Sequence, residues 1–199
     1  MSGPITLRDL YSLNAKPAPL HNSVLMLIDC QNTYRQGELQ LDGVEDAIHA
    51  AAILLARARA VRAPVVHVMH DAGKGTPFDI TADTGQISPE VAPRPGELVI
   101  VKRYPSAFFA TELYKQLRPT MRRDLVLAGF MTHGSVSATA FDAFHLGHQA
   151  TVVASATAAR GLRGTDGSWV DAATLQAASL ASIADLFGLV AATTDDIPE

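Results

Sequence analysis

Asp29, Lys102 and Ser135 are the residues of this 199-residue chain whose types could do chemistry together. Each ends or follows a short apolar run: Asp29 after SVLMLI, Lys102 after LVIV, and Ser135 on the turn GFMTHGS that continues DLVLA. A carboxylate close to an ammonium is held ionised and can take a proton from a nucleophile. The ammonium stabilises the anion that results. This suits a thiol, with an ordinary pKa of about 8.5, better than a serine hydroxyl. Backbone N–H groups at the turn and at the helix start beyond it could stabilise an oxyanion. With a thiol at the turn, such a site would favour acyl transfer from an amide or a related carbon–nitrogen bond. The plainer alternatives are a turn aspartate, a solvated strand-end lysine and a capping serine. Residue types and spacing leave both sets open.

These residues would have to be positioned by an alternation of buried strands and helices. The apolar runs 23–28, 64–69, 98–101, 124–128, 149–153 and 189–192 read as strands. Helical periodicity appears over 43–61, with Val44, Ile48, Ala51, Leu55 and Ala58 on one face. It recurs over 109–117, over 133–146 with Val136, Ala140, Ala143 and Phe144 inward, and over 171–187 with Ala172, Leu175, Ile183 and Leu186 on one face. A Gly/Pro/Asp-rich loop from about 70 to 95 is long enough to be functional or mobile. Strands alternating with helices predict an α/β domain with a mostly parallel sheet and helices on both faces. In such sheets ligands bind beyond the carboxyl ends of the strands. Asp29, His70, Asp71, Lys102 and the turn 129–135 all fall there.

The composition narrows the partners. Apolar residues make up 48% and charged residues 18%, which disfavours disorder away from the ends. The net charge is −4 with scattered Lys and Arg, so no nucleic-acid partner is expected. No apolar run approaches the roughly 20 residues of a membrane span. The first residues lack the basic start and apolar core of a signal peptide. Cys30 is the single cysteine, which rules out an internal disulfide and predicts a cytoplasmic protein.

Three ordered motifs resemble the isochorismatase-like cysteine hydrolases, in their amidase-like branch. LMLIDCQNTY is similar to their opening I-D-x-Q-N-x-aromatic, and VIVKRYPSAFFATEL to their K-x-x-x-S-A-F-x-x-T-x-L segment. LVLAGFMTHGSVSATAFDAFHLGHQATVVASATA is similar to their G-x-x-T-x-x-C-V-x-x-T-A-x-D-A signature, and HDAGKGTPFD to a substrate loop. The likeness spans roughly residues 20 to 190 of a single domain 1–199, with 1–20 as a possible N-terminal arm. It implies a three-layer αβα sandwich on a Rossmann-like, mostly parallel six-stranded sheet. It also implies an Asp-Lys-Cys triad in which Asp29 and Lys102 match and Ser135 stands where the family has Cys. A cis peptide at Phe130–Met131 and an oxyanion hole from the amides of Met131 and Ser135 are implied too. Cys30 sits where the family carries an apolar residue and reads as a small buried hydrophobe.

Ser135 admits three explanations: an introduced replacement for Cys, a natural serine variant, or an isochorismatase-type vinyl-ether hydrolase with Asp29 as general acid. The last type carries Gly there with a His two residues earlier, where His133 stands here. A non-catalytic binding relative is the remaining reading. The resemblance favours a small amide or carbamoyl-type substrate.

Expected substrate contacts are Gln31, Tyr34, His70, Phe78, Tyr104, Phe108 and His133, with the four Tyr and Phe residues forming an apolar slot if they cluster. Gln31 and Tyr34 could instead hold the strand-end turn. His67 and His70 would face opposite sides of a strand and do not make the D-x-H metal pattern of the family's nicotinamidases. No metal or other cofactor is therefore expected. Family members often form dimers or tetramers, so a homodimer or homotetramer is expected. Gln176 stands where amidase-like members would carry His, and no role follows for it.

Overall fold

The computed structural model describes residues 5–13 and 16–199. In chain order the main elements are α1 (Leu7–Leu10), β1 (Ser23–Ile28), α2 (Val44–Ala60), β2 (Val65–His70), β3 (Leu98–Lys102), α3 (Leu113–Leu117) and β4 (Asp124–Phe130). They continue with α4 (Ser137–His145), β5 (Gln149–Ala158), the short strands β6 (Leu162–Arg163) and β7 (Trp169–Val170), α5 (Ala172–Ser182) and β8 (Gly188–Ala191). Six strands form one sheet in the order β3-β2-β1-β4-β5-β8, and every pairing in it is parallel.

The sheet is buried on both faces because alternate residues of each strand supply separate cores. Leu25 and Leu27 of β1 pack with Ala47, Ala51, Leu54 and Leu55 of α2. Val24, Met26 and Ile28 pack on the opposite face with Leu113 of α3, Ala140 and Ala143 of α4, and Ile183 just beyond α5. This is the three-layer αβα arrangement expected. α2 buries Val44, Ala47, Ile48, Ala51, Leu54, Leu55 and Ala58, a stripe at helical spacing. Glu45 and Asp46 in its first turn and Arg57 and Arg59 in its last complement the helix dipole.

The strand order reverses direction at β1. The chain runs outward from β1 to β2 and β3, then returns to place β4 on the other side of β1. The cleft of a doubly wound sheet opens at such a switch point, beyond the strand ends. There Asp29 leaves β1 and the 131–136 turn leaves β4.

Several elements are shorter or less regular than periodicity predicts. The helix expected over 109–117 is confined to Leu113–Leu117, because Ala110 has a left-handed φ of 54° that interrupts a right-handed helix. The helix expected from 133 begins at Ser137, after an irregular turn in which Gly134 is non-helical (φ −117°, ψ −105°). β5 runs to Ala158 instead of 153, because extra residues in β5 between Val152 and Thr157 are taken up in a register shift against β4, after which the strands pair again at Gly129↔Thr157 and Phe130↔Ala158. The antiparallel β6–β7 pair is too short for apolar alternation to announce it.

The described part of the 1–20 segment lies on its own chain: Leu7 N–H donates to Asp185 Oδ1 (3.0 Å), and Leu20 N–H to Pro198 O (2.8 Å). Residues 1–4 and 14–15 of that proposed arm lie outside the described residues.

Gly129 is required where β4 enters the turn. Its φ is +119°, and a Cβ there would stand 1.9 Å from the Ile28 carbonyl oxygen on the paired strand. Gly129→Ala is therefore expected to lose about 3 kcal/mol or more of stability, from backbone strain plus overpacking. A thermal melt should show a fall of roughly 6 °C or more. An unchanged melting temperature would mean that the strands can part without penalty.

Candidate functional site

Asp29 sits one residue beyond β1 with a left-handed φ of 50°, uncommon for a residue with a side chain. Its backbone is held from both sides: Asp29 N–H donates to Val68 O (2.9 Å), and Gln31 N–H donates to Asp29 O (2.8 Å). The Gln31 side chain completes the bracket. Its Oε1 accepts from His70 N–H (2.9 Å), and its Nε2 donates to His70 O (3.0 Å) and Gly85 O (2.7 Å). Gln31 thus ties β1 and β2 to the long loop, and this use of its amide corrects its expected place among substrate contacts.

Lys102 at the end of β3 reaches across to this carboxylate. Its Nζ lies 2.6 Å from Asp29 Oδ2 and donates to Ser135 Oγ at 3.1 Å. Both charged side chains are fully buried. Removing two charges from water is costly unless they meet each other in good geometry. Burial pushes the Asp29 carboxyl above the usual carboxylate range, against the Lys102 ammonium and the nearby Ser135 hydroxyl, which favour the ionised form. Asp29 Oδ1 is buried and has no hydrogen-bond partner.

Ser135 does not cap the helix that follows, since α4 starts without a side-chain cap. Its turn is stitched by other groups. Met131 O accepts from Gly134 N–H (3.0 Å) and Val136 N–H (3.2 Å), Thr132 Oγ1 donates to Ala158 O (3.0 Å), and Ser137 Oγ donates to Thr132 O (2.6 Å). The Phe130–Met131 peptide is cis. Strand ends far apart in the chain thus bring an acid, an ammonium and a hydroxyl into one buried contact.

Some of the aromatic residues named as substrate contacts cluster near this contact. Tyr34 is buried edge-on to Phe78 (centroids 5.5 Å apart) and Phe130 (5.9 Å), and Phe78 meets His70 at 5.0 Å. Burial holds His70 and His133 below the usual imidazole range, helped at His70 by Lys102 and at His133 by Arg160. Phe108 does not join this wall. Ala107 N–H donates to Thr139 Oγ1 of α4 (3.0 Å), which turns the segment under the helix, and Phe108 stacks on His148 at 5.8 Å just before β5. Tyr104 is exposed and packs on Phe109 at 4.9 Å. Of the four aromatic residues named for a slot, Tyr34 and Phe78 touch each other, with His70 and Phe130 against them.

Cys30 is buried, and burial with the Asp29 charge pushes its thiol well up, as suits an inert core residue. His67 meets Glu97 (3.0 Å), which also pairs with Arg59 (2.8 Å). Gln176 Nε2 donates to Thr157 Oγ1 (2.8 Å), which supplies the partner that the sequence left unassigned.

Arg160 carries no signal in the sequence, because the apolar run 149–153 stops five residues short of the strand's end at Ala158. With β5 reaching Ala158, Arg160 falls under the same strand-end rule as Asp29 and Lys102. Its charge acts on both Tyr34 and His133.

Residues 23–195 match the family model described as the isochorismatase domain. The chain is 34% identical over 191 residues to a secreted isochorismatase effector of Verticillium dahliae, covering 96% of this chain and 98% of that one. It is 34% identical over 152 residues to a maleamate amidohydrolase of Pseudomonas putida, covering 65% of this chain and 68% of that one. The crystal structure of an isochorismatase from Pseudomonas putida KT2440 superposes with a TM-score of 0.94 at 37% identity, covering 98% of this chain and 100% of that one. Among the described residues no helix is long and apolar enough to cross a membrane. The expectation of a cytoplasmic protein stands beside a relative named as secreted.

Proposed function

The chain belongs to the isochorismatase family and is a hydrolase; from that premise we propose that it cleaves the carbon–nitrogen bond of a small amide or carbamoyl-type compound. The single observation that supports this most is the contact of Lys102 Nζ with both Asp29 (2.6 Å) and Ser135 Oγ (3.1 Å). A relative named as an amidohydrolase supports it as well.

In this reading the side chain at 135 attacks the amide carbon while Asp29 takes its proton. The carbonyl electrons move onto oxygen, and the amides of Met131 and Ser135 hold that oxyanion. Collapse re-forms the carbonyl and expels the nitrogen, which leaves as amine or ammonia with the proton from Asp29. Water, deprotonated by the same carboxylate, then releases the acyl group and restores the hydroxyl. Lys102 stabilises each anion in turn. A carboxyl raised by burial suits a group that both takes and returns a proton.

The test is ammonia release from a panel of small primary amides by the protein and by its Ser135→Cys variant. Release by neither ends the proposal. The second reading, vinyl-ether hydrolysis, is favoured by the same raised carboxyl, which can donate a proton, and by relatives named as isochorismatases. Turnover of isochorismate that survives Ser135→Ala and stops with Asp29→Asn would establish it instead.

The pH profile has a definite sign. Asp29 acts as a base only when ionised, and burial raises its pKa. Amide turnover should therefore fall away on acidification at a pH above about 3.9, the ordinary aspartate value. The same carboxyl binds its proton more tightly in the folded chain. Its contribution to stability is present below the unfolded pKa and is lost as pH rises through the folded one. An acid limb of kcat/KM at or below the ordinary value would remove Asp29 from the role of base.

A further inference from the structure

Two joined cavities open at the end of the sheet opposite to the Asp29–Lys102–Ser135 contact. One, of about 250 Å³, is walled by Tyr114, Arg118, Arg122, Arg123 and His148 among others. The other, of about 270 Å³, is walled by Arg8, Phe144 and Phe187 and shares Gly147 and His148 with the first. Arg123 immediately precedes β4 and His148 immediately precedes β5, so the cavities lie at the amino ends of those strands. Asp29 and the 131–136 turn instead leave the carboxyl ends of β1 and β4. None of Asp29, Lys102 and Ser135 lines either cavity.

The first cavity gathers three guanidiniums on a chain whose net charge is −4. Arg122 Nη1 donates to Ser23 O at the start of β1 (2.7 Å), and Arg123 Nη2 donates to Gly147 O (3.3 Å). Each bond fixes one corner of a planar fork and leaves its other N–H donors for a ligand. Among the described residues no ion pair includes Arg118, Arg122 or Arg123. The Arg123 and His148 charges act on the neighbouring Asp124, whose carboxyl burial pushes up. Three like charges around one cavity repel, and an anion with more than one charge relieves that repulsion. A phosphate monoester carries roughly two negative charges and three acceptor oxygens, which suits three guanidiniums better than a single carboxylate would.

The second cavity is aromatic. Phe144 and Phe187 meet edge-on at 5.7 Å. His148, at the junction, is held by a stacked contact with Phe108 (5.8 Å) and a T-shaped one with Tyr114 (6.1 Å). Arg8 joins this wall, its Nη1 donating to Leu186 O (3.2 Å). A flat ring placed there meets aromatic side chains and a guanidinium, both of which favour a π-system.

We propose that the joined cavities bind a small phosphate monoester carrying a flat ring, with the phosphate among Arg118, Arg122 and Arg123 and the ring toward Phe144 and Phe187. The site is separate from the catalytic one, and it stands whichever bond the enzyme cleaves.

The experiment is calorimetry on the full chain at low salt. It compares adenosine 5′-monophosphate and phenyl phosphate with adenosine, phenol and inorganic phosphate. It is repeated on Arg118→Gln, Arg123→Gln and Lys115→Gln. Both arginines are exposed, so a melt should show all three variants folded. Lys115 is the control: it is an exposed cation that pairs with Glu112 (3.3 Å) and does not line the cavity. At least one ester should bind about 10-fold or more tighter than its phosphate-free counterpart and than inorganic phosphate, the order of one charge-assisted hydrogen bond. Arg118→Gln and Arg123→Gln should each weaken that ester by about 5-fold or more, and Lys115→Gln by less than about 2-fold. Five results would overturn the proposal. They are no binding of either ester, equal binding of esters and phosphate-free compounds, inorganic phosphate binding as tightly as the esters, affinity unchanged in either arginine variant, and an equal loss in Lys115→Gln, which would reduce the effect to general charge attraction.

Discussion

Replacing Ser135 by Cys raises kcat/KM for a small amide by at least ~100-fold, the lower end of what assisted proton removal contributes. The sulfur would occupy the position of an oxygen that already lies 3.1 Å from Lys102 Nζ. The ammonium lowers the pKa of a thiol that ordinarily loses its proton near 8.5, whereas a serine hydroxyl stays protonated beside the same groups. The substitution changes one atom at a half-buried position and leaves the turn's stitching at Met131, Thr132 and Ser137 in place. The direct readout is a mass increase on residue 135 equal to the acyl group, trapped by acid quench during turnover. If the thiol form neither turns over faster nor accumulates an adduct with any small amide, the site is not a nucleophilic hydrolase. A serine at the nucleophile position, introduced or natural, and a binding relative also part here. The first gains activity with Cys, and the second does not.

Asp29→Asn should lower amide turnover by roughly 10³–10⁴-fold, the upper range for loss of a positioned proton acceptor. The amide of Asn keeps the carboxylate's shape but cannot take a proton, so substrate binding should survive better than kcat. The substitution also leaves Lys102 as an uncompensated charge in full burial. Breaking a buried pair in this way destabilises by about 3–5 kcal/mol. The chemistry is therefore read at a temperature where a melt shows both proteins folded. The double variant Asp29→Asn with Lys102→Met removes the stranded charge, so its stability should recover while its activity stays low. Full activity in Asp29→Asn would place the base elsewhere.

Much of the site was legible as a list of residues. Asp29, Lys102 and Ser135 were reachable from two facts of sequence alone: parallel strands read as unbroken apolar runs, and polar residues just beyond those runs face the cleft. The wall was less legible. Tyr34 and Phe78 meet, but Phe108 turns away because Ala107 bonds to Thr139, a partner 32 residues distant. Gln31 looked like a substrate ligand, yet its three hydrogen bonds go to the backbone of His70 and Gly85. Arg160 was hidden because a bulge in β5 between Val152 and Thr157, which no local pattern announces, sets where that strand ends.

Alternation and helical periodicity determined the layers, the parallel sheet and the edge on which chemistry would gather, since burial of apolar side chains is a property that each segment advertises by itself. The contact of Lys102 with both Asp29 and Ser135, the left-handed turn at Asp29, the irregular start of the 132–136 turn and the buried, unpartnered Nε of Arg160 were decided by tertiary structure alone. Each depends on distances between atoms on different strands. Such distances are set by register, by close backbone approaches such as Gly129 on Ile28, and by which side chains already have partners, and none of these is written in any one segment.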